Sequence, residues 1–291
     1  MVMVKMLMEI DPLPMRGSMM MTMVTISPSW RDASPAEQLP GALDWFRQVP
    51  PRDDGTSSRK LPSYFSRAKD TKAAHATYAA SYFGLVVTMD VYGYNLINGQ
   101  VSTTTIIIGN LEDGKFNEDA IWVGWQRDAY RTTGCFDMEC PGFEPARGAR
   151  LKPGAVIDPS SHQKITIKVL QDRKTGDWWI RAGFNGSTTV IGRYPAKLFD
   201  KLSRKATNIA MSGVVGAIGS TPSPLMGSGF FPLSKAASIT GISYIGEDGK
   251  LRPFALNTIK VETKSSCYSV TPIINAKFSY GGPGGCSARA F

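Results

Sequence analysis

An all-β protein, an antiparallel β-sandwich of many short strands, is the fold this sequence predicts, and three observations predict it. Glycine (29) and proline (19) are plentiful and spread along the chain, as tight turns between short strands require. Between them recur short runs rich in β-branched and aromatic residues, the composition of half-buried strands. A helical pattern is confined to 195–205. At 291 residues the chain holds one large or two ordinary domains, and its 42% hydrophobic content suffices for a sizeable core.

Taken in order, residues 27–72 are polar and proline-rich with little periodicity. They read as part of a disordered amino-terminal segment or a reduced pro-segment covering 1–72, with the folded domain over 73–291. Strand patterns begin at 77–82 and 86–92, and 101–108 (VSTTTIII) is among the most strand-like stretches of the chain. In 164–170, Ile165, Ile167 and Val169 alternate with Thr166 and Lys168; a turn at 172–176 then leads into 177–184, which predicts a hairpin. Further strands are expected at 188–194, 208–218, 225–231, 237–245, 255–262 and 268–274, separated by turns rich in glycine, proline and asparagine. In 195–205, Pro195 suits a first helical turn and Leu198, Phe199 and Leu202 fall on one face.

The net charge of +9 concentrates around 147–152 and along 193–205. Such a balance can draw nucleic acid, anionic membrane or acidic polysaccharide. The basic residues of 193–205, however, lie opposite the apolar face of the expected helix and are its solvated side. No nucleic-acid-binding motif accompanies the charge, and no run approaches the ~20 apolar residues of a membrane span. Residues 1–25 are methionine-rich, but Glu9, Asp11, Pro12 and Pro14 interrupt any signal-peptide core and no Ala-x-Ala site follows. The four cysteines, Cys135, Cys140, Cys267 and Cys286, permit three disulfide pairings. With His75 and His162 the only histidines and no second ligand pair at finger spacing, a zinc site is disfavoured, and neither metal nor cofactor is expected.

One stretch carries more information than the rest. Gly124-Trp125-Gln126, Asp128-Ala129-Tyr130, Thr133-Gly134-Cys135 and Cys140-Pro141-Gly142-Phe143 follow one another within 121–143. They are flanked by His75-Ala76, Tyr82-Phe83-Gly84 and Val91 before, and by Gly176-Asp177-Trp178-Trp179, Ile191-Gly192-Arg193-Tyr194-Pro195 and Leu198-Phe199 after. Met226-Gly227-Ser228-Gly229-Phe230 and Tyr280-Gly281-Gly282-Pro283-Gly284 complete the set. In this order, over some three quarters of the chain, they resemble the neprosin family of plant glutamic peptidases. Gly55-Thr56-Ser57-Ser58-Arg59 is a fainter match to the end of that family's activation segment.

The resemblance implies two strongly curved antiparallel sheets packed face to face, one lining a groove, and proline-directed endopeptidase activity. It implies the disulfides Cys135–Cys140 and Cys267–Cys286 and hence an oxidising compartment. The family is typically secreted, so the protein is expected to be extracellular, with the methionine-rich start a product of gene prediction; the alternative is a protein made without export. In the family, two glutamates face each other across the groove, one activating a water and one serving as acid, a task that suits carboxylates whose mutual repulsion separates their pKa values. Here the two positions correspond to Trp122 and Val214, neither of which transfers a proton. A family segment between Gly-Trp-Gln and Asp-Ala-Tyr is also absent, since Gln126 runs directly into Arg127 and Asp128.

No other acid substitutes readily. Glu118 shares the strand face of Trp122 but lies ~13 Å along it. Glu139 and Glu144 flank the Cys140 loop and read as solvated, and no acid lies between Asp200 and Glu247. Ser228 lacks the Gly-x-Ser-x-Gly spacing of a nucleophile elbow, and 281–285 has no Lys-Ser/Thr to make a phosphate loop. What remains is a set of groove candidates, Trp122, Trp125, Gln126, Trp178, Trp179 and Tyr194, whose aromatic faces can stack on proline-rich peptide or sugar rings. Each aromatic has a competing place in the core, and of the adjacent Trp178 and Trp179 at most one faces a ligand. The functional expectation is a secreted peptidase relative without its catalytic pair; the alternative is an extracellular binding module for proline-rich peptide or cell-wall polysaccharide.

Overall fold

The computed structural model describes residues 3–6, 19–26, 69–93, 95–97, 100–112, 115–127, 142–152, 155–161, 163–217, 220–233, 235–255 and 257–286. Its strands are β1 (Met3–Met6), β2 (Met19–Ile26), β3 (Lys69–Thr77), β4 (Gly84–Asp90), β5 (Gln100–Glu112), β6 (Lys115–Arg127), β7 (Glu144–Pro145), β8 (Val156–Ile157) and β9 (Lys164–Gln171). They continue with β10 (Trp178–Phe184), β11 (Thr189–Tyr194), β12 (Asn208–Ala217), β13 (Ala237–Ile245), β14 (Leu251–Pro253), β15 (Thr258–Glu262), β16 (Ser269–Val270) and β17 (Phe278–Gly281). Sheet I has eight strands, in the order β1-β2-β6-β5-β12-β3-β15 with β8 on β2; sheet II has nine, in the order β16-β17-β13-β4-β9-β10-β11-β7 with β14 on β13.

Period-two alternation builds the core between the sheets. Sheet II contributes Leu85, Val87 and Met89 from β4, Ile165, Ile167 and Val169 from β9, and Trp178, Ile180 and Ala182 from β10. Sheet I answers with Ile106 and Ile108, Ile121 and Val123, and Ile209, Met211 and Val215. Full burial of each such side chain contributes about 1.5–3 kcal/mol, so this layer dominates the favourable side of folding. The all-β antiparallel sandwich expected from the sequence is the fold observed, and the β9–β10 hairpin pairs from Gln171↔Trp178 to Ile165↔Phe184.

Three local expectations need correction. Instead of a helix over 195–205 there is a single 3-10 turn, Ala196–Leu198, followed by a separate turn at 201–204. The Leu202 carbonyl accepts from Trp178 Nε1 (2.8 Å) and Gln171 Nε2 (3.0 Å), which ties this segment to sheet II rather than to a helical ladder. Residues 225–231 form turns rather than a strand, with one bridge from Met226 to Gly282, because Gly227 (φ 62°) and Gly229 (φ 82°) leave the extended region. The strand expected over 77–82 ends at Thr77, leaving Tyr82 in an isolated bridge with Ala206. Within the segment set aside as 1–72, β2 pairs with β6, β1 pairs with β2, and β3 already begins at Lys69. The methionine-rich stretch 19–26 has enough extended, apolar character to add to a sheet edge; residues 27–68 lie outside the described residues.

Candidate functional site

The two positions singled out in the sequence, Trp122 and Val214, are brought onto one face of sheet I. Trp122 on β6 stands opposite Ile107 on β5, which stands opposite Ala210 on β12, which stands opposite Ala76 on β3. Since partners across an antiparallel pair share a face, this row points away from the core, and Ala76, Ile107, Ala120 and Ala210 form a small buried cluster there against the half-buried Trp122. Val214 is four residues farther along β12 on the same face, in register with Thr103 and Lys72. Two strand spacings and four residues put the two positions roughly 16 Å apart on a flat sheet.

The side chains between them are small, apolar or hydroxylic. Thr103 and Thr105 share a hydrogen bond between their hydroxyls (2.9 Å), and Ser212 Oγ donates to the Thr105 carbonyl (3.4 Å). Ala210, Ser212 and Val214 are buried, as is all of β12. Among the described side chains that these central strands place on this face, Lys72 alone is ionisable, and no carboxylate is among them. The alternation in VSTTTIII, with Thr103, Thr105 and Ile107 on one side and Thr104, Ile106 and Ile108 on the other, is the signal from which these neighbours of Trp122 were available.

Of the other groove candidates, Gln126 falls in the row of Thr103 and Val214 by backbone register, whereas Trp178, Tyr194 and Trp179 do not join this face. Trp178 and Tyr194 are fully buried between the sheets. Trp179 is on the outer surface of sheet II, where the Arg193 guanidinium lies 5.5 Å from its ring, so the whole sandwich separates it from Trp122. Trp125 and Gln126 stand opposite Thr104 and Thr103 in backbone register, and their side chains lie outside the described residues.

The motifs of the chain converge instead into two packing units. In the first, Asp177 accepts the Ala196 backbone N–H (2.8 Å) and pairs with Arg193 (2.6 Å), which also reaches Glu144 (2.9 Å). The hydrogen bond to Glu144 is the main cause holding the Arg193 pKa above its ordinary value. The Phe143 ring meets Tyr194 edge-on at 4.9 Å and lies directly over Gly192, where a Cβ would overlap it. In the second unit, Met226–Phe230 packs on Tyr280–Gly284: Met226 N–H donates to the Gly282 carbonyl (3.1 Å), and Gly285 N–H donates to the Ser223 carbonyl (2.8 Å). The disulfide Cys267–Cys286, with Cα atoms 6.4 Å apart, closes this unit; Cys135 and Cys140 lie outside the described residues. The Ser228 hydroxyl accepts the Phe230 N–H (3.4 Å). His75 is engaged elsewhere: Nε2–H donates to the Thr271 carbonyl (2.7 Å), Nδ1 meets Thr258 Oγ1 (2.9 Å), and burial lowers its pKa below 6.5. Among the described residues no cluster of His, Cys, Asp or Glu fit to hold a metal is present, nor is any helix long and apolar enough to cross a membrane.

Comparison with known proteins places this arrangement in context. The family model described as Neprosin matches residues 94–283. Among solved structures, the chain has a weak likeness to the crystal structure of Scytalido-glutamic peptidase with a peptide-based transition-state analog. The identity is 8% and the TM-score 0.38, over 73% of this chain and 98% of that one.

Proposed function

From the premise that the chain belongs to the Neprosin family, we propose that it is an exported relative of that family's proline-directed endopeptidases that has lost the hydrolytic pair and binds proline-containing peptide without cleaving it. One observation carries this reading. The face of sheet I bearing Trp122 and Val214 presents, among its described side chains, apolar groups, hydroxyls and Lys72, and no carboxylate. Peptide hydrolysis without a metal needs a base to activate water and an acid for the departing amine, each contributing roughly 10²–10⁴ in rate. An amine supplies at most one of the two; Asp70, opposite Gly216, and Glu118, four residues before Trp122, share this face in backbone register, and their side chains lie outside the described residues. Export is supported by the Cys267–Cys286 disulfide.

Peptide is favoured over polysaccharide by the disposition of the aromatics. A sugar platform needs several exposed rings on one surface. Here Trp178 and Tyr194 are buried and Trp179 is on the opposite surface from Trp122. Ala210, Ser212 and Val214 are buried, and Trp122 is the half-buried side chain of its row.

The test has two arms, each run on the intact chain and after limited proteolysis. A fluorogenic proline-containing peptide is assayed for cleavage from about pH 2 to 7, across the carboxylate range, and a proline-rich peptide is titrated calorimetrically. No turnover together with saturable peptide binding is the expected result. Turnover abolished by replacing a single acid overturns the loss of chemistry; absence of binding in both forms overturns the peptide reading, and binding of an oligosaccharide instead favours the alternative.

A further inference from the structure

The β10–β11 hairpin carries a feature that neither the packing units nor the peptide face uses. Its strands pair to Ala182↔Thr189 and close through Phe184-Asn185-Gly186-Ser187, with the Ser187 N–H donating to the Phe184 carbonyl (3.1 Å). Asn185 (φ 54°) and Gly186 (φ 77°) both adopt the left-handed conformation of a two-residue type I′ turn. An Asn-Gly pair satisfies that turn by itself. The residue after it has no conformational reason to be serine, and 185–187 is the one place in the 291 residues where Asn-x-Ser/Thr occurs.

We propose that Asn185 is a site of N-linked glycosylation. Asn185, Gly186 and Ser187 are all exposed at the tip of the hairpin. A Cβ placed on Gly186 would meet nothing within 4 Å, so the turn projects into open space where a bulky substituent fits without displacing packed atoms. Neither the Asn185 amide nor the Ser187 hydroxyl has a protein hydrogen-bond partner among the described residues, so both remain free for the acceptor chemistry, which requires an amide and a hydroxyl two residues apart. The co-reactant is a lipid-diphosphate-linked oligosaccharide. Asn185 Nδ2 bonds to the anomeric carbon, the anomeric C–O bond breaks with its electron pair leaving on the lipid diphosphate, and the nitrogen gives up one proton; nothing is oxidised or reduced. The proposal rests on the export inferred above and is independent of the peptide reading and of the missing carboxylates.

The full chain, placed behind a cleavable signal sequence, is translated in the presence of rough microsomes, and only protease-protected chains are scored, so every molecule counted has met the transferase. A single mobility step, removed by peptide N-glycosidase, is expected for the unaltered chain. It should disappear in Asn185→Asp, which tolerates the left-handed turn, and in Ser187→Ala, and persist in Ser187→Thr. Digestion in heavy-oxygen water should label position 185 of the tryptic peptide 182–193, which separates glycan removal from spontaneous deamidation of Asn-Gly. Protected chains with unmodified Asn185, or a step that survives both Asn185→Asp and Ser187→Ala, overturn the assignment; an active or inactive peptidase leaves it untouched.

Discussion

The hydroxyl of Tyr280, on β17 of sheet II, and that of Thr104, on β5 of sheet I, share a 2.5 Å hydrogen bond inside the core. Gly213 on the neighbouring β12 leaves the room for it: a Cβ there would lie 2.6 Å from the Tyr280 ring and 2.8 Å from Met226 Sδ. Tyr280→Phe strands the Thr104 hydroxyl in an apolar layer, and the expected cost is about 1–3 kcal/mol. Thr104→Val combined with Tyr280→Phe should recover part of that loss, since no orphaned group then remains. Urea midpoints of the two single variants and the double variant check this; strict additivity would show that the two hydroxyls are not coupled.

Gly192 is the contact point between the Phe143 ring and β11. Gly192→Ala forces the ring or the strand to shift, with an expected loss of about 1–3 kcal/mol from overpacking. Combining it with Phe143→Leu should relieve the overlap and make the second substitution cost less in the alanine background than in the parent. Thermal unfolding of the four proteins reads the coupling.

Reducing Cys267–Cys286, which are 19 residues apart, should lower stability by about 3 kcal/mol, the loop-closure value for a ring of that size. The predicted signature is a reductant-dependent fall in the denaturant midpoint that the Cys267→Ala/Cys286→Ala variant shows without reductant. An unchanged midpoint would mean that the Gly282–Met226 contacts alone hold this end of sheet II.

Burial, aided by Lys260, holds the His75 pKa below its ordinary 6.5, with the Thr271 carbonyl and Glu262 opposing. Above pH 6.5 the imidazole is neutral in both states and its contribution to stability is fully present. As pH falls below 6.5 the unfolded chain binds a proton that the folded chain refuses, so stability declines until the folded pKa is passed. The difference in unfolding free energy between the parent and His75→Gln, followed between about pH 5 and 8, should therefore shrink on acidification. A difference independent of pH would sink the assignment.

Introducing glutamates at the two positions that the resemblance assigns to the family's acids, Trp122→Glu with Val214→Glu, is expected to leave the protein without peptidase activity. Carboxylates that share one water must both lie within hydrogen-bond reach of it, and the register holds these positions roughly 16 Å apart. Turnover by the double variant would show that sheet curvature brings them together and would refute the register argument.

Much of the architecture could be read in advance because it rests on period-two alternation. Ile165, Ile167 and Val169 point inward as their spacing demands, and so do Trp178 and Ile180. The errors cluster where side chains intervene in the backbone's own hydrogen bonding. The 195–205 helix failed because Trp178 and Gln171 engage the Leu202 carbonyl from a distant strand, a contact invisible to any local window. At the candidate site, alternation could place Trp122 on a face but could not say that Trp179 occupies the opposite surface of the molecule. That depends on which sheet each strand joins, a non-local fact.

The two packing units have a consequence for what recognition by sequence means. Asp177, Phe143, Gly192, Met226 and the 280–284 turn fit one another through buried edges and backbone contacts, so replacing any one of them disturbs its neighbours. Trp122 packs, among the described residues, against a cluster of three alanines and one isoleucine. Substitutions within the packing units therefore cost the fold more than one neighbour at a time. Resemblance carried by such knots measures kinship in folding rather than in chemistry.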